Sequence, residues 1–254
     1  MQIFVVNLER DIERRASIEE QMTSLELPFD FFKAYYGKDL SSDELAIHYN
    51  AKRAYRNFSY PFPPAVIGCA LSHVMLYKKM IADQIDYACI FEDDIILPPN
   101  TKKILQSIET VISSTEPQII LLSPSKSKEE VLHNLGAYQL RPFQSGFFTS
   151  SYIINQLGAK VLFENMYPVH HVADCWDYLK RHKLIDILAV NPTLIEQDQD
   201  TFGSSTTEGQ NDQDIKKIAS TLKYKVHRVF FKSLDYLVAF FNRNFKPYGG
   251  VKSK

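Results

Sequence analysis

The feature that most constrains this chain is the pentad Tyr87-Ala88-Cys89-Ile90-Phe91, apolar throughout, which stops abruptly at Glu92-Asp93-Asp94. Five residues without polar alternation suit a strand covered on both faces rather than one with a solvated side. Such a strand needs helices above and below it, and the flanking sequence supplies them. The spacing of apolar residues predicts a helix over Ile67 to Ile81 before the pentad and another over Asn100 to Ser113 after it, followed by a second buried strand over Gln118 to Leu122. Ile3 to Val6 reads as a strand ending at Asn7, and the charged segment from Glu9 carries Ile12, Ile18, Met22 and Leu25 at near-helical spacing. Phe29 to Phe32, Gly146 to Ile154 and Ile185 to Val190 are further strands, and Leu157 to Asn165 is a further helix. Strands alternating with helices predict an α/β fold with a mostly parallel central sheet. Between Asn50 and Pro64 the aromatics and prolines predict a rigid surface loop.

The 254 residues suit one α/β domain with an appendage. Glu196 to Gln210 is polar and rich in Gly, Ser and Thr, which predicts a loop and a boundary. Residues 1–210 are read as the main domain and 211–254 as a C-terminal amphipathic helical tail. The tail holds ten Lys/Arg against three Asp, a charge of +7, so the first 210 residues carry −8 within a net charge of −1. Its apolar residues, among them Ile218, Leu222, Val226, Val229 and Phe230, recur at helical spacing. A basic amphipathic helix suits an anionic membrane surface, or else packs on the domain with a solvated basic face. The near-neutral total gives no pull toward nucleic acid.

Cys69, Cys89 and Cys175 are far apart and odd in number, which points to a reducing compartment rather than a disulfide or zinc framework. The N-terminus reaches charge too soon for a signal-peptide core, and no run of about 18 uncharged apolar residues predicts a spanning helix. The expected location is the cytoplasm.

Ligands of open α/β sheets bind beyond the carboxyl ends of strands. Glu92-Asp93-Asp94 stands there, and clustered carboxylates are relieved by a hard cation such as Mg²⁺ or Mn²⁺ that also takes phosphate oxygens. The same residues would equally suit a solvated acidic turn or helix start. His170-His171-Val172-Ala173-Asp174-Cys175-Trp176-Asp177 is a second compact polar segment. Its adjacent histidines point different ways, so at most one would ligate a metal. Trp176 is either a ring on which a ligand stacks or a core residue.

Asn7-Leu8-Glu9-Arg10 with Arg14-Arg15, Gly68-Cys69-Ala70-Leu71-Ser72-His73, Phe91-Glu92-Asp93-Asp94, Gly158-Ala159-Lys160 and Pro192-Thr193-Leu194-Ile195-Glu196-Gln197 follow in an order and approximate spacing that resembles glycosyltransferase family 25. The resemblance spans roughly residues 1 to 205. It implies a type-A glycosyltransferase fold, Rossmann-like as in nucleotide-diphospho-sugar transferases, an inverting reaction, and UDP-galactose with Mn²⁺ (or Mg²⁺). Asn7, Leu8, Arg10 and Arg14 are the implied nucleotide contacts, with Glu92 and Asp93 as further donor contacts. Ser72 and His73, in the first turns of their helix, are candidate contacts to donor or acceptor, or else a helix-capping hydroxyl and a buried, hydrogen-bonded imidazole. Asp94, with Glu92 and Gln197, is expected to hold the metal. One departure concerns the nucleoside: Ala34-Tyr35-Tyr36-Gly37 stands where the family often has Ala-x-Asp-Gly.

An inverting transfer needs a base to take the acceptor hydroxyl's proton, and a carboxylate is the usual choice. Asp174 is the first candidate and Asp177 the second. The expected product is β-linked galactose on a bacterial lipooligosaccharide or lipopolysaccharide saccharide, made on the cytoplasmic face of the inner membrane. The rivals are a transferase using another UDP-sugar such as UDP-glucose, and a non-catalytic saccharide-binding protein.

Overall fold

The computed structural model describes residues 1–198 and Thr201. The tail 211–254 and the boundary before it lie outside the described residues. The chain opens with β1 (Gln2–Asn7), α1 (Ile12–Ser24) and β2 (Asp30–Lys33). Then come α2 (Ser42–His48), α3 (Ala51–Phe58), α4 (Pro64–Ala82) and β3 (Tyr87–Glu92). β4 (Ile95–Ile96), α5 (Thr101–Glu109) and β5 (Gln118–Leu121) follow, then β6 (Ser125–Ser127), β7 (His133–Leu135) and β8 (Tyr138–Gly146). The last described elements are β9 (Ser151–Asn155), α6 (Gln156–Met166), α7 (Trp176–Arg181), β10 (Asp186–Asn191) and β11 (Glu196–Gln197).

Among the described residues the main sheet has nine strands in the order β2-β1-β3-β9-β5-β10-β8-β6, with β7 pairing β8. The expected mostly parallel sheet is corrected to a mixed one. β1 runs parallel to β2 and β3, and β10 to β5, but β9 lies antiparallel between β3 and β5, and β8 is antiparallel to β10, β6 and β7. The reason is that an apolar run reports burial on both faces and not direction. β9 is buried at all five positions, as a parallel strand would be, yet it runs the other way.

The sheet is packed on both faces. β3 shows the division: Ala88 and Ile90 join Leu76, Tyr77 and Met80 of α4, Leu162 of α6 and Trp176 of α7. Cys89 and Phe91 join Ile18 and Met22 of α1 and Ile104 and Ile108 of α5. Successive residues of a strand point to opposite faces, so the unbroken apolar pentad feeds both cores. α4 is long and apolar enough to cross a membrane by length and hydropathy, but its buried positions, including Leu71, Val74 and Met80, serve the core.

Two local expectations are also corrected. The Asn50–Pro64 segment is not a loop throughout, because Asn50 accepts from Arg53 N at 3.0 Å and caps α3. Its aromatics build a third cluster with Ala54, Phe62, Ile67 and Leu71. Gly146 to Ile154 is not one strand: β8 ends at Gly146, and residues 147–150 form a loop before β9.

Candidate active site

β1, β2 and β3 are parallel neighbours, so their carboxyl ends share one edge of the sheet. The acidic triplet leaves β3 there and divides between two sides. Asp93 and Asp94 turn toward β1 and α1. Asp93 accepts from Asn7 Nδ2 at 2.7 Å and from Arg14 at 3.3 Å, and Asp94 accepts from the same Arg14 nitrogen at 3.0 Å. Arg14 is buried although it lies on a helix read mainly for its apolar stripe. The late segment closes on Asp94 from the far side: Gln197 Nε2 is 3.4 Å from Asp94 Oδ1, Asp198 N donates to Asp94 O at 2.7 Å, and β11 pairs β4.

Glu92 turns the other way, toward α4 and the loop before β9. Thr149 Oγ1 donates to it at 2.6 Å and His73 Nε2 lies 3.2 Å away. His73 is fixed in turn by Tyr152 Oη at 2.8 Å from Nδ1, and Tyr152 by Tyr77 at 2.9 Å. Cys69 stands one turn before His73, the spacing that puts both on one helix face. Cys69, His73 and Glu92 each offer a ligand atom within 4.8 Å of the others, a set that could hold a divalent ion.

The electrostatics separate the carboxylates. Burial works against the Glu92 charge, but His73, Thr149 and Arg14 more than offset it and hold the group below the ordinary glutamate range. Asp94 goes the other way: burial, then the charges of Glu92 and Asp93, push it up to about 6 against the pull of Arg14. Burial also raises Asp93. This excess of negative charge in a confined place is what a cation relieves, and carboxylate oxygens are the hard donors that Mn²⁺ or Mg²⁺ prefers. The residues present therefore fit such an ion. Cys69 is less suited, since burial and then Glu92 raise its thiol well above the ordinary value.

The other sequence candidates fall into place around these two groups. Asp174 joins the Glu92 side: Oδ2 accepts from Phe148 N at 3.2 Å, and its charge is disfavoured by burial and then by Glu92. Asp177, in the first turn of α7, favours the charge of Lys180 and makes no hydrogen bond to Glu92 or Asp174 among the described residues. Leu8 O accepts from Asp11 N in the turn after β1. Arg10, 48% exposed at its side chain, lies over the Tyr36 ring at 3.6 Å, so tyrosine brings an aromatic face to the departure noted in the Ala34–Gly37 segment.

Ser72 is spent on the backbone. Its hydroxyl donates to Gly68 O at 2.7 Å and accepts from Tyr35 N at 2.8 Å, which fixes the segment after β2 on α4. Gly68 permits that approach, since a Cβ there would lie 2.5 Å from Tyr35 O and 2.6 Å from Gly37 N. Trp176 resolves to a core residue at 0% exposure, donating Nε1–H to Phe148 O at 3.0 Å. The histidine pair serves packing: His170 Nδ1 bonds Pro168 O at 2.7 Å, with burial lowering its pKa to about 4, and His171 packs against Phe58 and Tyr178. Sequence reasoning missed Thr149 and Tyr152. Thr149 sits in a stretch whose composition reads as strand, and only the loop it occupies reveals it.

A family model described as glycosyltransferase family 25 (LPS biosynthesis protein) matches residues 1–176. A Haemophilus influenzae protein named as a glycosyltransferase is 28% identical over 256 residues, covering 93% of this chain and 88% of its own. The lipooligosaccharide biosynthesis protein lex-1 of the same species is 26% identical over 89% of this chain and 87% of its own. Human procollagen galactosyltransferase 2 is 26% identical over 76% of this chain, which spans 34% of that longer protein. The match extends from β1 through the acidic triplet to the segment carrying Asp174, and the chain belongs to glycosyltransferase family 25 and is a glycosyltransferase.

Proposed function

We propose that the protein is an inverting, metal-dependent transferase of type-A architecture that moves galactose from UDP-galactose to a saccharide of bacterial lipooligosaccharide, forming a β-linkage. The observation that carries this reading is the division of the acidic triplet into an Arg14-paired half beside Asn7 and a half facing His73, Thr149 and Asp174. An inverting displacement needs those two functions on opposite sides of the anomeric carbon.

Asp94 with Gln197 would hold Mn²⁺ or Mg²⁺, with the Glu92 charge acting on the ion from the other half rather than as a ligand, and a bound ion would neutralise charge developing on the departing diphosphate. Arg14 holds the carboxylates in register, and Asn7, Leu8 and Arg10 line the strand end where the nucleotide lies. Asp93 braces Asn7 and Arg14. On the other side Asp174 takes the proton of the acceptor hydroxyl, and burial suits it by lifting its pKa toward working pH. Glu92 keeps His73 and Thr149 oriented. Asp177 is the weaker candidate, for lack of contacts with either half.

The names of the bacterial relatives support a lipooligosaccharide acceptor, and that of the human relative supports galactose. The +7 charge and helical spacing of residues 211–254 support a peripheral place on the anionic cytoplasmic face of the inner membrane. The direct test is UDP release from UDP-galactose and UDP-glucose with Mn²⁺ and with EDTA, with NMR of the product linkage. Turnover indifferent to EDTA, or preference for another donor, overturns the metal or the galactose assignment respectively. Equal binding to anionic liposomes by the full chain and by a chain ending at Gln210 overturns the membrane assignment.

A further inference from the structure

We infer that Phe147 and Phe148 form the platform on which the acceptor saccharide stacks, held in place by Trp176 and Asp174. The inference rests on the transferase reading of the site and names its acceptor side. Two consecutive phenylalanines are exposed here, Phe147 by 66% and Phe148 by 39%. They lie in the loop between β8 and β9, at the carboxyl end of β3, where Ser150 O accepts from Glu92 N at 2.8 Å. The next residue, Thr149, is the one that bonds the Glu92 carboxylate.

Phe148 is also strained, with φ at +79°. The other non-glycine residues of positive φ among those described are Glu26, Ser59, Gln84 and Lys183. All four stand at or just past the C-terminal ends of helices α1, α3, α4 and α7, where a left-handed residue is an ordinary cap. Phe148 has no such excuse. A bulky residue persists in this region only when its surroundings over-determine it, and such strain gathers at functional sites.

The surroundings do over-determine it. Phe148 N donates to Asp174 Oδ2 at 3.2 Å, and Phe148 O accepts from Trp176 Nε1 at 3.0 Å and Ser123 Oγ at 3.4 Å. The fold thus spends its single tryptophan's polar atom on holding an exposed aromatic residue. The occupant follows from the chemistry of the neighbour. Whatever gives its proton to Asp174 lies beside Phe148, and that molecule is the acceptor. A sugar ring has an apolar C–H face and a hydroxyl rim, which match an exposed phenylalanine whose own backbone N–H is bonded to a carboxylate.

The test compares wild type with Phe147→Ala and Phe148→Gly. Glycine adopts φ +79° freely, so Phe148→Gly removes the ring without forcing the loop, and relief of the strain should offset the lost ring contacts and keep the melting temperature close to that of wild type. The acceptor probe is the core oligosaccharide released from lipooligosaccharide by mild acid. Each variant should raise the KM for that saccharide at least ten-fold while the KM for the UDP-sugar stays within two-fold. An unchanged acceptor KM in both variants, or a parallel rise in both constants, overturns the platform. UDP release by wild type that depends on adding this saccharide tests the parent reading separately: its absence overturns that reading, whereas its presence with an unchanged acceptor KM in the variants overturns the platform alone.

Discussion

Asp94→Asn should make the metal-free protein more stable while abolishing its activity. In the fold, burial and the neighbouring charges of Glu92 and Asp93 lift Asp94 from the ordinary 3.8 to about 6. That difference corresponds to about 3 kcal/mol of penalty on the ionised form. Because the folded pKa is the raised one, the folded state prefers the neutral carboxyl. The penalty is absent below the ordinary value, grows as pH rises from 3.8 to about 6, and is complete above that. The amide escapes it at every pH. Against this stand weakened contacts to Arg14 and Gln197, worth about 1–2 kcal/mol together. The net gain is about 1–2 kcal/mol at pH 8, or very roughly 2–8 °C in melting temperature for a chain of this size. Thermal melts in EDTA from pH 5 to 8 measure it, and the gap between variant and wild type should open over the lower part of that range. Mn²⁺ at about 100 times its dissociation constant should then raise wild type by roughly 2.7 kcal/mol and leave the variant unmoved. Turnover should fall at least about 100-fold. A variant less stable than wild type at pH 8 in EDTA, or equal Mn²⁺ shifts in both proteins, would refute this electrostatic account.

Gly68→Ala forces a Cβ to within 2.5 Å of Tyr35 O, so it should destabilise the fold by roughly 3 kcal/mol or more, read as loss of soluble protein or a sharply lowered melt. Ser72→Ala leaves Tyr35 N–H without its acceptor and should cost about 1–3 kcal/mol in denaturant unfolding; a neutral effect would mean that the segment after β2 is not held by this bond. Asp174→Asn should lower transfer at least about 100-fold. Wild-type rate should fall with decreasing pH at a value above the ordinary aspartate range, and persistence of that acid limb in the variant would assign the base elsewhere. Trp176→Phe removes the donor to Phe148 O and should cost about 1–3 kcal/mol, with acceptor KM raised and donor KM steady in the same kinetic assay.

The Tyr87–Phe91 pentad determined by itself that a doubly covered strand ends in an acidic triplet, because burial on two faces demands an unbroken apolar run. Helical spacing likewise located α1, α4 and α6 to within a few residues, and ordered motifs indicated the family. Strand direction was decided only by tertiary pairing, since β9 has the composition of a parallel strand and runs antiparallel to both neighbours. The fate of each polar side chain was also a tertiary matter. Arg14 reads as a nucleotide contact until β3 brings Asp93 and Asp94 beside it, and Ser72 reads as a site hydroxyl until Tyr35 N–H is found on it. The role of Thr149 and the strain at Phe148 depend on groups far away in sequence, namely Glu92, Asp174 and Trp176. Sequence records which groups are polar, but a hydrogen bond needs a partner at about 3 Å, and only the folded chain supplies that distance.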